Sequence, residues 1–211
     1  PLRETLAQLA LAHTPDRPVL LDAGCGEGYY SAGLFQTLAQ AGKSPRLAGV
    51  DLSKHALRRA AKRVPDGEFA VASVYHLPVA DGVADLLVDC FSPLALTEFW
   101  RVLKPGGWFL YVVPGARHLW ELKQVLYDRP YPNEEKQIPY PGFAYRAIRE
   151  VDFTAHLPDP QTIQDLFQMT PYFWKTPKEG AARLAALPSL DTTVSFRVHV
   201  FQKAGQEGGT P

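Results

Sequence analysis

The sequence predicts an α/β fold: a mostly parallel sheet with helices on both faces. Three observations carry that reading. Strand and helix patterns alternate through the first 127 residues, which is how a parallel sheet with crossover helices is written. The first apolar strand, ending Leu20-Leu21-Asp22-Ala23, runs straight into glycines at alternate positions, Gly24, Gly26 and Gly28, and then into a helix. The chain has 211 residues, 46% of them hydrophobic, enough to bury a full core.

In chain order the patterns give a helix over 2–13, a strand over 18–23, a helix over 28–41, a strand over 46–50 and a helix over 53–63. Two strands follow at 68–72 and 84–89, then a helix over 94–103, a strand over 107–113 and a helix over 117–127. The turn Lys104-Pro105-Gly106-Gly107 serves to end one helix and start the next strand. Segment 128–147 breaks the rhythm. Its prolines (130, 132, 139, 141) and aromatics (Tyr127, Tyr131, Tyr140, Phe143, Tyr145) predict a long irregular insertion, a candidate lid or substrate loop. Beyond it come a strand near 149–157, a helix near 160–168, a Pro-broken turn at 169–174, a helix near 177–187 and a last alternating strand over 192–202. A catalytic domain over 1–204 is expected, with substrate-side insertions at 128–147 and 169–188 and a flexible glycine-rich tail over 205–211.

The glycine turn is a place for a ligand. Glycines leave the backbone bare where a cofactor must approach, and the following helix N-terminus offers unpaired amide groups. The spacing is G-x-G-x-G, not the G-x-G-x-x-G of dinucleotide sites. Asp51 ends the second strand roughly 20 residues past the turn, placed to accept both ribose hydroxyls of an adenosine. It could instead cap a turn, but Ser53 can cap the next helix and leave Asp51 free. Asp22, at the end of the first strand, is read either as a simple turn residue or as holding the glycine loop.

Charge is balanced, 22 basic against 22 acidic residues, which argues against a protein that coats nucleic acid non-specifically. Locally it is not. Lys54, Arg58 and Lys62 form one helical stripe beside His55, Arg59 and Arg63. Such a run reads either as a solvated face or as a nucleic-acid contact, and so do the scattered Arg117, His118, Lys123 and Arg129. Two cysteines, Cys25 and Cys90, provide no disulfide framework and no zinc-ligand spacing, so no metal is expected. With no membrane-length apolar run and no signal peptide, a cytoplasmic protein without a membrane partner is expected.

The glycine turn with Asp22 and Asp51 resembles motif I and its acidic partner in the class I S-adenosylmethionine-dependent methyltransferases. Ala72-Ser73-Val74 and the segment Glu98–Gly107 fit the same anatomy. The resemblance implies a Rossmann-like, mostly parallel seven-stranded sheet and S-adenosyl-L-methionine as cofactor. Its implied contacts are Asp22, Gly24, Gly26, Gly28, Asp51, Leu52, Ser73 and Val74.

Phe91-Ser92-Pro93, the run Pro114-Gly115-x-x-His118-Leu119-x-Glu121-Leu122-Lys123, and Met169-Thr170-Pro171-x-x-Trp174 go further. They resemble the signatures of the bacterial 23S rRNA (guanine-N1)-methyltransferases, over nearly the whole chain. The resemblance implies methylation of guanine N1 in a 23S rRNA hairpin near the macrolide-binding region, with Phe91, Pro93, His118, Met169 and Trp174 on the substrate side. A homodimer is an expected assembly. Members carry an N-terminal cysteine-rich zinc module, and this sequence starts at Pro1, where that module would end; it is either a catalytic fragment or a protein without the module.

Guanine N1 is a nucleophile only as its proton leaves, so a proton acceptor near the cofactor is needed. Asp89, ending the fourth strand, is the candidate; a surface Asp capping a turn is the competing reading. Two other functions stay open, a small-molecule methyltransferase and a non-catalytic binding module of the same fold.

Overall fold

Seven strands form one sheet in the order β3-β2-β1-β4-β5-β7-β6. They are β1 Val19–Ala23, β2 Arg46–Asp51, β3 Glu68–Val71, β4 Ala84–Cys90, β5 Leu103–Pro114, β6 Phe143–Leu157 and β7 Leu190–Lys203. The helices are α1 Leu2–His13, α2 Tyr29–Gln40, α3 Lys54–Arg63, α4 Leu96–Val102, α5 Trp120–Leu126, α6 Pro160–Gln168 and α7 Lys178–Ala185, with a 3-10 turn at Pro171–Trp174. The computed structural model describes residues 1–134 and 138–205. Positions 135–137 of the expected insertion and 206–211 of the expected tail lie outside the described residues.

The chain divides into two compact units: Pro1–Val113, Gln137–Arg149 and Arg197–Pro211 form one, Pro114–Lys136 and Glu150–Phe196 the other. In the first unit β1 pairs in parallel with β2 and β4, and β2 with β3 and β4 with β5 likewise. Period-two alternation sends the strand residues to two helical layers. Leu21, Ala23, Leu87 and Phe109 join Phe99 and Val102 of α4 in one core. Asp22, one residue out of phase, meets Ser31 of α2 on the opposite face. Each fully buried Phe or Leu in these layers contributes about 1.5–3 kcal/mol.

The expected boundary at Lys104–Gly107 is corrected. β5 starts at Leu103 and carries that segment as an irregularity, since Ala84 pairs with Leu103 but Leu86 with Trp108. Gly106 (φ 75°) takes the left-handed turn, so the extra residues bulge from the strand without interrupting it.

The second unit is built around Leu122, Leu126, Ile163, Phe167 and Leu184, all essentially buried. Its helix α5 begins at Trp120, later than the expected 117, because Leu119 sits in the left-handed region at φ 55°. The reading of Lys123 as a surface cation is wrong. Helix periodicity turns it inward to 1% exposure, where Nζ donates to the Tyr131 carbonyl (3.0 Å) and Asn133 Oδ1 (2.7 Å) and faces the rings of Tyr131 and Tyr172. Burial lowers its pKa.

The irregular insertion expected over 128–147 is shorter, because β6 starts at Phe143. Its aromatics divide. Tyr140 and Phe143 pack against the first unit's core, and Tyr131 stays exposed in the second unit. The run is also pinned by a side chain, since Asn133 Nδ2 donates to the Gly115 carbonyl at 2.9 Å.

Candidate active site

The strand order reverses at β1, whose neighbours are β2 on one side and β4 on the other. In an open parallel sheet such a switch leaves a crevice at the carboxyl ends of the strands. Ala23 lies beside Val50 of β2 and Asp89 of β4, so the glycine turn, Asp51 and the β4 end converge. Gly24 and Cys25 both donate their amides to the Val50 carbonyl at 2.9 Å. Gly26 N–H donates to Asp51 Oδ2 at 2.9 Å, and Ser53 N–H to Asp51 Oδ1 at 2.8 Å.

These bonds correct the expectation that Asp51 is free. Ser53 does cap α3, accepting from Ala56 N–H at 3.2 Å, yet both Asp51 oxygens are also engaged. Each carboxylate oxygen has two lone pairs, so one acceptor position per oxygen remains for a ligand hydroxyl. Asp51 therefore fixes the turn, with one acceptor position left on each oxygen.

Gly24, Gly26 and Gly28 have φ of 79°, 53° and 72°, conformations that cost other residues dearly. Gly24 has a second constraint. A Cβ there would stand 2.4 Å from Ser92 Cβ. Ser92 is held over the turn because its hydroxyl donates to the Ala23 carbonyl (2.9 Å) and lies 2.7 Å from Asp89 Oδ1, which also accepts Ser92 N–H at 3.0 Å. At Gly28 a Cβ would come within 2.9 Å of the Ala60 side chain of α3. At Gly26 nothing lies within 4 Å: that part of the turn faces open space.

Asp89 is not the surface residue of the competing reading; it is 0% exposed. It does cap the turn, through Oδ1 and Ser92 N–H, while its Oδ2 is buried without a hydrogen-bond partner among the described residues, a cost of about 1–3 kcal/mol. Burial pushes its carboxyl up to about 7, against the opposing bonds from Ser92. Asp22, 2% exposed and bonded to the Ser31 hydroxyl, is pushed up to about 6 by the same cause. It ties α2 to the end of β1, beneath the turn.

Around this centre Leu52, Val71, Tyr75 and Phe91 remain 47–74% exposed, an apolar set at the carboxyl ends of β2, β3 and β4. Phe91 takes φ 64°, unusual for an aromatic residue, and its ring lies 6.4 Å from that of Tyr30. Pro93 is exposed beside it. Ser73 Oγ accepts from Tyr75 N–H at 3.2 Å and shapes the turn, and Val74 is buried in the core. The remaining expected site residues belong to the second unit. His118 is partly buried, accepts from Ser195 N–H at 3.3 Å and packs on Phe196, and burial lowers its pKa. Met169 and Trp174 are 84% and 83% exposed.

Ser92, Tyr75 and Val71 were not singled out by sequence reasoning. Ser92 sits inside the Phe91–Pro93 signature, but only the fold reveals that it covers Gly24. The exposed apolar pair Val71 and Tyr75 brackets Ser73 and carries no spacing signal of its own.

A bare glycine turn, an acid with spare acceptor positions and uncovered apolar side chains fit an adenosine-bearing cofactor. Together with the strand order they define a class I methyltransferase domain, whose cofactor is S-adenosyl-L-methionine. The family model described as a methyltransferase domain (Methyltransf_11) matches residues 21–111. The fold is shared with the YcgJ protein of Bacillus subtilis, at a TM-score of 0.62 and 18% identity over 98% of both chains. Two relatives narrow the class. Bacillus subtilis YxjB, to which a 23S rRNA (guanine-N1)-methyltransferase activity is ascribed, is 33% identical over 96% of this chain and 74% of its own. The 23S rRNA (guanine(748)-N(1))-methyltransferase of Streptomyces fradiae is 33% identical over 90% of this chain and 69% of its own. The chain belongs to the 23S rRNA (guanine-N1)-methyltransferase family.

Proposed function

We propose that the chain transfers the methyl group of S-adenosylmethionine to N1 of a guanine in a 23S rRNA hairpin. The observation that carries this reading is the reach of the similarity: 96% of the chain aligns with YxjB, so the second unit is shared as well as the cofactor-binding half. That reaction would run in the cytoplasm. No helix of the described residues is long and apolar enough to cross a membrane.

The cofactor supplies an electrophilic sulfonium methyl group. Asp51 would receive the two ribose hydroxyls on its free acceptor positions, with Leu52, Ser73 and Val74 toward the adenine and Gly24, Gly26, Gly28 and Asp22 toward the amino-acid end. Asp89 would relieve guanine N1 of its proton: its unpartnered Oδ2 lacks a donor, and a carboxyl near 7 is half-ionised at neutral pH, poised to accept one. Phe91 offers an exposed ring on which an extruded base can stack, with Pro93 shaping its border. His118, Met169 and Trp174 would contact RNA from the second unit.

The test is mass analysis of nucleosides from rRNA incubated with the protein and labelled cofactor. Label in 1-methylguanosine supports the reading, and label in another nucleoside or none sinks it. Trp174→Ala gives a narrower check. With the ring 83% exposed, folding stability should change by no more than about 0.5 kcal/mol, whereas hairpin binding should weaken by about 1–3 kcal/mol if the ring stacks on a base. Equal hairpin affinity for variant and parent would remove Trp174 from the contact set.

A further inference from the structure

We propose that α3 is a docking rail for the phosphate backbone of the RNA substrate, carried by Lys54, Arg58 and Lys62. The inference rests on the rRNA reading above and adds to it where RNA outside the target base is held. Between residues 54 and 63 the helix has six basic side chains, Lys54, His55, Arg58, Arg59, Lys62 and Arg63, and no acidic one, in a chain whose net charge is zero. All six are exposed, and the buried face consists of Leu57 and Ala60. Such concentration of one sign along one helix repels itself.

The two basic rows are used differently. Arg59 is paired with Glu27 inside the glycine turn, and Arg63 and Arg3 lie over the ring of Tyr29, 5.9 and 5.4 Å from its centroid. That row fastens α3 to the cofactor turn, and Ala60 seats against Gly28 beneath it. Lys54, Arg58 and Lys62 carry no ion pair among the described residues. At four-residue spacing they stand about 6 Å apart along the helix axis, comparable with successive phosphates on one RNA strand. A rail of three exposed cations, two lysines about an arginine, favours a polyanion of regular charge spacing over a mixed-charge protein surface. Because the same helix is tied to Glu27, the rail is fixed relative to the glycine turn.

Lys54→Gln/Arg58→Gln/Lys62→Gln tests this. Binding to a 23S rRNA hairpin and to a duplex RNA of unrelated sequence would be measured against salt, with cofactor binding followed by calorimetry. The expected result is weaker binding of both RNAs by about 10- to 100-fold at low salt. The slope of log affinity against log salt should be shallower by about 2–3, the loss of three phosphate contacts, and cofactor affinity should be unchanged. In turnover the KM for RNA should rise with kcat kept. An unaltered affinity and slope in the triple variant, or no RNA binding by the parent, overturns the proposal; so does binding of anionic phospholipid vesicles in preference to RNA. If the parent binds RNA through this helix but deposits no label on guanine N1, the rail stands and the methylation reading falls.

Discussion

Replacing Asp89 by Asn is expected to slow methyl transfer to the rRNA hairpin by about 10²–10⁴-fold, the usual contribution of a positioned base. Only the ionised carboxyl can take the guanine proton. Since burial places its titration at about 7, the parent's single-turnover rate should rise with pH below that value and level off above it, and the variant should lose this limb. A near-normal rate in the variant, or an unchanged pH limb, returns Asp89 to the role of bracing Ser92.

Cofactor affinity must be measured alongside, because Asp89 Oδ1 holds the residue that covers Gly24. Asn keeps an acceptor for Ser92 N–H, so affinity should stay within about threefold if the brace survives. Stability provides an independent readout. The carboxyl titrates near 3.8 when exposed and at about 7 when folded, so the folded state holds a proton that the unfolded chain has released. Its stabilising effect is complete below about pH 4 and fades as pH rises through 7. The variant lacks that loss, so its Tm relative to the parent should increase between pH 5 and pH 8.

Asp51→Ala should weaken S-adenosylmethionine binding by roughly 2–3 kcal/mol, about 30- to 150-fold in Kd, through lost hydrogen bonds to the ribose. The structure adds a second consequence. Gly26 N–H and Ser53 N–H lose their acceptor, so the cofactor-free protein should also lose about 1–3 kcal/mol of stability. Calorimetry and thermal denaturation separate the two effects. Asp51→Asn keeps one carbonyl acceptor and should recover part of the stability but less of the affinity. Unchanged cofactor binding in Asp51→Ala would remove Asp51 from the ribose site.

The sequence alone determined the sheet class, the order of its elements, the glycine turn with Asp51 twenty-odd residues on, and the family signatures at Phe91–Pro93 and Met169–Trp174. These are local: hydrophobic period, turn chemistry and short motifs are written in consecutive residues. Only the tertiary structure decided what lies opposite them. It bonded each Asp51 oxygen to one backbone amide, set Ser92 over Gly24, buried Asp89 with one oxygen unsatisfied and turned Lys123 inward between two tyrosines. The physical reason is that a carboxyl's pKa, a cation's exposure and a glycine's necessity depend on which distant segment packs against each. Ser92 meets Gly24 from 68 residues away, a proximity that the pairing of β1 with β4 creates and no spacing along the chain encodes.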